Sequence, residues 1–297
     1  MIRQVKTNYE GYDCWEVANE VLSLWLSLDF GPRILGISYL DGENLLAVLP
    51  ESKIPVESGL DYSLRGGHRL WVAPEKPEIT YLPDDLPPRV REIEGGLEVV
   101  QEVDGPTGIQ KSWRVQMDED RSRVVIDHRL DNRGNGPFNL APWAVTMLRP
   151  GGVGLLPLQT EPDDPHGLWP NRQLVFWPYT DLNSRHLKIT NTGVYVEADL
   201  SEGALKIGAP NPFGWLAYRQ NNQVFVKETH YQEGGKYPDR GASHQIYCNP
   251  DVIELETLGP LITLEPGAFV EHKEIWSIYS PDGLPDQIQE LYNQNPT

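Results

Sequence analysis

Apolar and polar residues alternate along most of the chain. Leu22, Leu24, Leu26 and Leu28 take one parity, and Val21, Ser23, Trp25 and Ser27 take the other. A period of two is the mark of a strand with one buried face. Gly31-Pro32 then reads as a turn, Ile34 to Leu40 as a strand, and Asp41-Gly42 as a hairpin turn with Leu45 to Leu49 as the return strand. Residues 50–67 and the proline-rich 76–90 read as irregular connections. From 89 to 149, five runs (RVREIEG, LEVVQEV, GIQKSWRVQMD, SRVVIDHRLDN and PFNLAPWAVTML) are separated by turn-forming clusters, which predicts an antiparallel meander. Asp127 and Arg129 fall on its solvent face, and His128 and His272 are read as strand-surface residues.

The same alternation recurs after a long loop over 149–186. LKITNTGVYVEAD and ALKIG predict two short strands, and WLAYRQNNQVFVKETHY predicts a hairpin turning at Gln220-Asn221-Asn222. VIELETLGPLITLEP and GAFVEHKEIWSIYS predict the last strands. Only about 283–294 has helical spacing, through Leu284, Ile288 and Leu291. No repeat and no break in composition divides the chain. It reads as one all-β domain over 1–297, a sandwich of many strands with one short C-terminal helix.

Composition narrows the functional classes. The 43 acidic and 25 basic residues give a net charge of −18. That disfavours nucleic acid and anionic membranes as partners. No run of about 18 apolar residues is present, and no secretory leader is read in MIRQVKTNYEGYDCW, so the expected location is cytoplasmic. Cys14 and Cys248 are expected to be reduced. Nine tryptophans exceed the needs of a core; flat amphipathic rings suit the apolar faces of a sugar or a base. There is no phosphate loop, nucleophile elbow or short-spaced pair of metal ligands, so no cofactor and no metal are expected.

Two places carry candidate chemistry. In VIELETL, Glu254 and Glu256 share a strand face, with carboxylates roughly 6–7 Å apart. Two like charges in a groove raise the pKa of one of them. In LRGGHRLWVAPE, Arg65, His68, Arg69 and Trp71 cluster beside paired glycines on what reads as a loop.

Three pieces resemble the galactose mutarotase-like superfamily, which includes aldose 1-epimerases and hexose-phosphate epimerases. Leu255-Glu256-Thr257, followed by Leu264-Glu265-Pro266-Gly267 and by His272 to Trp276, is similar to that family's catalytic glutamate and closing hairpin. DFGPRILGI with DGENLLAV resembles its opening strands, and Arg65-Gly66-Gly67 with Leu70-Trp71 resembles its Arg-Gly-Gly segment. The resemblance implies a galactose mutarotase-like β-supersandwich with a groove for a small-molecule carbohydrate. It implies isomerase chemistry: a glutamate takes the anomeric proton and a histidine protonates the ring oxygen. Glu256 is then the base. The family's acid histidine belongs in the strand that here reads LAPWAVTML, which contains none. His68 is the expected substitute, with His230 and His244 as other candidates. Arg65, Arg69 and Lys227 are expected to hold an anionic group, and Trp71, Trp143, His230 and Glu254 to line the groove. Lys227 also reads as a solvated edge charge. The alternative is a non-catalytic sugar-binding module on the same fold.

Overall fold

The computed structural model describes residues 1–56 and 61–294. Its strands form two large antiparallel sheets and a two-stranded ribbon. The first sheet has eleven strands. It runs from Arg3–Tyr9 through Tyr12–Ala18, Leu22–Ser27, Ile34–Tyr39, His68–Ala73, Phe138–Leu148, Ile253–Leu258, His244–Cys248 and Leu205–Ala209 to Val175–Phe176, and Ile262–Leu264 pairs with Phe138–Leu148. The second has ten strands. At its centre Gln223–Thr229, Phe269–Tyr279, Arg123–Asn132 and Ile109–Met117 lie side by side. The inner faces close on a core that includes Leu22, Leu24, Leu26, Trp113, Leu255 and Trp276. The fold is an all-β sandwich. Its one helix longer than a turn among the described residues, Asp286–Gln294, packs Ile288 and Leu291, with Leu284 just before it, against Tyr195, Trp215 and Val224 on the second sheet. Among the described residues, no helix is long and apolar enough to cross a membrane.

Alternation located the strands, but not always their partners. Leu45 to Leu49 does not return as a regular hairpin strand. The Asn44 side chain instead accepts from the Ile37 and Leu46 amides and donates to the Leu35 carbonyl, so an amide group stands in for the ladder. The chain then enters a strand, Val48–Ile54, which pairs with Tyr62–Gly66 inside the segment expected to be irregular. The part of that expectation at 57–60 lies outside the described residues. The meander holds for Arg89–Ile93, Gly96–Val100, Ile109–Met117 and Arg123–Asn132. Its expected fifth strand, Phe138–Leu148, crosses to the other sheet, and Arg123–Asn132 pairs with Phe269–Tyr279 instead. Phe138–Leu148 is buried on both faces over most of its length, which an edge of the smaller sheet does not provide. LKITNTGVYVEAD forms two strands, Leu187–Ile189 and Gly193–Glu197, rather than one.

Candidate functional site

The first sheet's outer face gathers charge and aromatic surface at its centre. Ile253–Leu258 is paired on one side with Phe138–Leu148 and on the other with His244–Cys248. Period-two alternation sends Ile253, Leu255 and Thr257 inward, leaving Glu254 and Glu256 outward. Register sets Glu256 opposite Val145 and Gln245, and Glu254 opposite Met147 and Tyr247. Arg69 is opposite Val145 in turn, and Trp71 is opposite Trp143. Thus Arg69, Trp71, Trp143, Glu254 and Glu256 converge on one face.

The two carboxylates have unlike surroundings. Glu256 is 0% exposed. Its Oε2 accepts from Trp143 Nε1 at 2.7 Å and from Lys206 Nζ at 2.8 Å, and its Oε1 is buried with no hydrogen-bond partner. Glu254 Oε1 accepts from Arg69 Nη2 at 3.3 Å. Burial, opposed by the Arg69 guanidinium and reinforced by the Glu256 charge, pushes the Glu254 carboxyl up to about 7. Arg69 lies over the Trp71 ring at 3.9 Å, and Lys206 lies between the rings of Trp143 at 5.0 Å and Trp177 at 4.7 Å. The Trp71 and Trp143 rings meet edge to face, 5.2 Å apart. Two acids, two cations and three indoles therefore share one patch. Such a set can accept a proton, supply one near neutrality and stack a flat apolar surface.

Lys206 and Trp177 were absent from the sequence-level site. Lys206 is the outward residue of Leu205–Ala209, between apolar Leu205 and Ile207, and nothing local separates it from a solvated lysine. Only strand order places it two strands from Glu256.

Four expected members, and the further acid candidate His244, lie elsewhere. LRGGHRLW is not a loop. His68–Ala73 is a strand, so His68 and Arg69 point to opposite faces. The expectation that His68 turns into the groove with Glu256 is corrected: it is fully buried between the sheets. Its Nδ1 meets Thr146 Oγ1 at 2.9 Å and its Nε2 meets His128 Nε2 at 2.8 Å. Lys227 is neither a groove residue nor a solvated edge charge. Its Nζ is enclosed by Glu274 Oε1 at 2.9 Å, Thr146 Oγ1 at 2.9 Å, and the Ala144 and Leu255 carbonyls at 3.0 Å each. Arg65 pairs with Asp84 at 3.6 Å and Asp85 at 2.5 Å and lies over Phe30. The glycines after Arg65 bring backbone against backbone: a Cβ on Gly66 would stand 2.0 Å from the Ala47 carbonyl, and one on Gly67 2.2 Å from that of Ile34. His230 is exposed and lines a cavity shared with Arg129 and Lys273. His244 is buried, with Nδ1 3.0 Å from Ser243 Oγ.

His128 and His272, expected on the strand surface, are buried too. His128 shares a parity with Val124, Ile126 and Leu130, which face the core. The three histidines join Lys227, Glu274 and two threonines in one network between the sheets. Burial holds the imidazoles of His68, His128 and His272 below their ordinary range, so they are neutral. His68, His128 and Glu274 bring ligand-type atoms within 4.8 Å of one another. Hydrogen bonding already occupies those atoms. His128 Nδ1–H donates to the His272 carbonyl at 2.9 Å, which leaves His128 Nε2 to accept from His68, and Trp276 Nε1 donates to Glu274 Oε2 at 3.0 Å.

No known family profile matches the chain, and no curated protein sequence does. Solved structures do resemble it. One is a candidate aldose 1-epimerase from Klebsiella pneumoniae subsp. pneumoniae, at 12% identity and a TM-score of 0.62, covering 99% of this chain and 86% of that one. Another is a galactose mutarotase-like protein from Lactobacillus casei, at 8% identity and a TM-score of 0.54, covering 93% of this chain and all of that one (100%). A third is a TPR-domain-containing protein from Parabacteroides distasonis, at 12% identity and a TM-score of 0.63, of which this chain covers 49%. With these likenesses along nearly its whole length, the chain has the galactose mutarotase-like fold.

Proposed function

We propose that the outer-face patch is a carbohydrate site of the aldose 1-epimerase type, in a cytoplasmic protein folded as one unit, with Glu256 as the base. The observation that carries this reading is Glu256 Oε1, a buried carboxylate oxygen without a partner. A buried acceptor left unmatched is costly, and a sugar hydroxyl is the donor it lacks. Trp71 and Trp143 supply the stacking surface. In the reaction, Glu256 takes the proton of the anomeric hydroxyl while its oxygen electrons form the aldehyde carbonyl. The ring C–O bond breaks, and its oxygen takes a proton from Glu254. Rotation about the C1–C2 bond and reclosure return both protons. Glu254 replaces the absent histidine because its carboxyl, pushed up to about 7, is partly protonated at neutral pH. Arg69 and Lys206 balance a carboxylate or phosphate on the sugar.

The test is the anomerisation rate of a panel of aldoses, uronates and sugar phosphates, followed by polarimetry or exchange NMR. The expected result is acceleration of at least one sugar, with Glu256→Gln slowing it by about 10²–10⁴-fold. A panel left at spontaneous rates, yet bound with a change in tryptophan fluorescence, selects the non-catalytic module. That second reading is favoured by the contacts of Glu256 with Lys206 and Trp143, none of which is a histidine. Neither turnover nor binding would exclude both.

A further inference from the structure

The second sheet carries a cavity of about 740 Å³, away from the carboxylate pair. It is lined by outward residues of Arg123–Asn132 and Phe269–Tyr279, by Thr229, His230 and Gln232, and by Gly259 and Pro260. His272 also lines it.

The hydrogen bonds of His272 fix its tautomer. Glu274 is ionised: the Lys227 ammonium, against the effect of burial, holds its carboxyl below the usual range. A carboxylate only accepts, so the Thr257 hydroxyl, which touches Glu274, donates to it. The same hydroxyl lies 2.8 Å from His272 Nε2. Its one proton is committed, so it accepts there, and His272 Nε2 carries the hydrogen. In a neutral imidazole the other nitrogen is then a lone-pair acceptor. That atom, Nδ1, has no hydrogen-bond partner among the described residues. It lies beside Gly259, where a Cβ would stand 3.7 Å away. His272 is 6% exposed, and the cavity is the open space it borders.

We propose that this cavity is a second ligand site, for a neutral polyhydroxylated molecule such as a saccharide or polyol, one of whose hydroxyls donates to His272 Nδ1. Two further observations select the class. The cavity's four basic and four acidic side chains balance in number, and all but Glu271 are paired: Arg129 and Arg133 with Asp131 at 2.7 and 3.2 Å, Lys273 with Asp127 at 3.1 Å, and Arg114 with Glu98 at 3.2 Å. Such a lining has little net attraction for an anion or a cation, while its paired edges offer donors beside acceptors, as hydroxyl groups require. The imidazole is a fixed acceptor rather than a base, because burial pushes it down to about 3 and it stays neutral at physiological pH. This site does not depend on the carboxylate patch, which lies on the other sheet.

The test is titration of ¹⁵N-labelled full-length protein with a panel of neutral mono- and disaccharides and polyols. Long-range ¹H–¹⁵N spectra read the His272 ring nitrogens directly. The expected result is a protonated Nε2, an unprotonated Nδ1, and a saturable shift of Nδ1 with at least one panel member. Glu256→Gln should retain that shift, and His272→Leu should weaken the same binding, measured by calorimetry, about tenfold. The proposal is overturned if no panel member moves Nδ1 in the parent protein, if Nδ1 carries the proton, or if His272→Leu binds as tightly as the parent. The spectra of the parent protein decide the matter even where the leucine variant does not fold. Failure of the carboxylate patch would show separately, as absent anomerisation with the His272 shift intact.

Discussion

Two buried lysine–glutamate pairs lie on either side of the first sheet, one carried inward by strands of the second sheet and one on the first sheet's own outer face, and their difference separates structure from chemistry. Lys227 and Glu274 lie between the sheets, 2.9 Å apart. Every polar atom of that pair is matched: the ammonium by four oxygens, and the carboxylate by Lys227, Thr257 and the Trp276 indole. Lys206 and Glu256 lie on the outer face, 2.8 Å apart. There the lysine has one carboxylate oxygen and two indole faces, and the other carboxylate oxygen has nothing. A complete network rigidifies a core. An incomplete one, held open by rigid strands, is where a ligand's donor belongs. Burial alone would rank the two pairs equally; satisfaction of hydrogen bonds tells them apart.

The largest effect that would break this comparison is on stability. Lys227→Met removes the donor to four oxygens and leaves Glu274 as an uncompensated buried charge. A loss of about 3–5 kcal/mol is expected, read as a lower midpoint in urea at unchanged slope. Adding Glu274→Met to it should recover part of that loss, since the stranded charge goes with it. A Lys227→Met protein as stable as the parent would mean that the inner pair is not the structural one.

Lys206→Met should cost less. Only Glu256 Oε2 loses a donor, and Trp143 still serves it. One hydrogen bond to a charged group is at stake, about 1.5–3 kcal/mol. The same variant should lose saccharide binding or anomerisation, which Lys227→Met would affect only through unfolding. If Lys206→Met proved the more destabilising of the two, the outer pair would be the structural one.

Parity made much of this legible in the sequence. Leu22, Leu24 and Leu26 announce a buried face, and alternation alone puts Glu254 and Glu256 together on one face, because adjacent residues of a strand oppose each other. The same rule, applied to His68–Ala73, parts His68 from Arg69 and Trp71; the paired glycines before it mimic a loop and mask the strand. His128 shares its parity with three aliphatic residues, so its burial was also within reach. Lys227 sits in a strand apolar on both faces, Val224 and Val226 against Phe225, which implies cover on both sides. Lys206 and the sheet switch at Phe138–Leu148 were different. Both depend on which strands become neighbours across long stretches of sequence, 50 residues from Lys206 to Glu256 and more than a hundred from Phe138–Leu148 to Ile253–Leu258, and no local pattern encodes that choice.

The last expected effect is a pH dependence in which the two faces pull in opposite directions. Burial depresses His244 and His272 to about 3, below the ordinary 6.5 of the unfolded chain. Their contribution to stability is therefore full above pH 6.5 and falls as pH drops toward 3, each by about 1.4 kcal/mol per pH unit. Glu254 is raised to about 7, above an ordinary carboxyl near 4.5. Its contribution is full below about 4.5 and is lost as pH rises to 7, with a similar slope of about 1.4 kcal/mol per unit. Between pH 4.5 and 6.5 the outer carboxyl thus offsets part of what the inner imidazoles lose. Glu254→Gln removes that offset, because an amide does not titrate. The variant should lose stability more steeply than the parent as pH falls from 6.5 to 4.5, measured as urea midpoints at several pH values. Parallel pH profiles for the two proteins would mean that Glu254 titrates as an ordinary exposed carboxyl, and the outer patch would then lack the acid that the proposed ring opening requires.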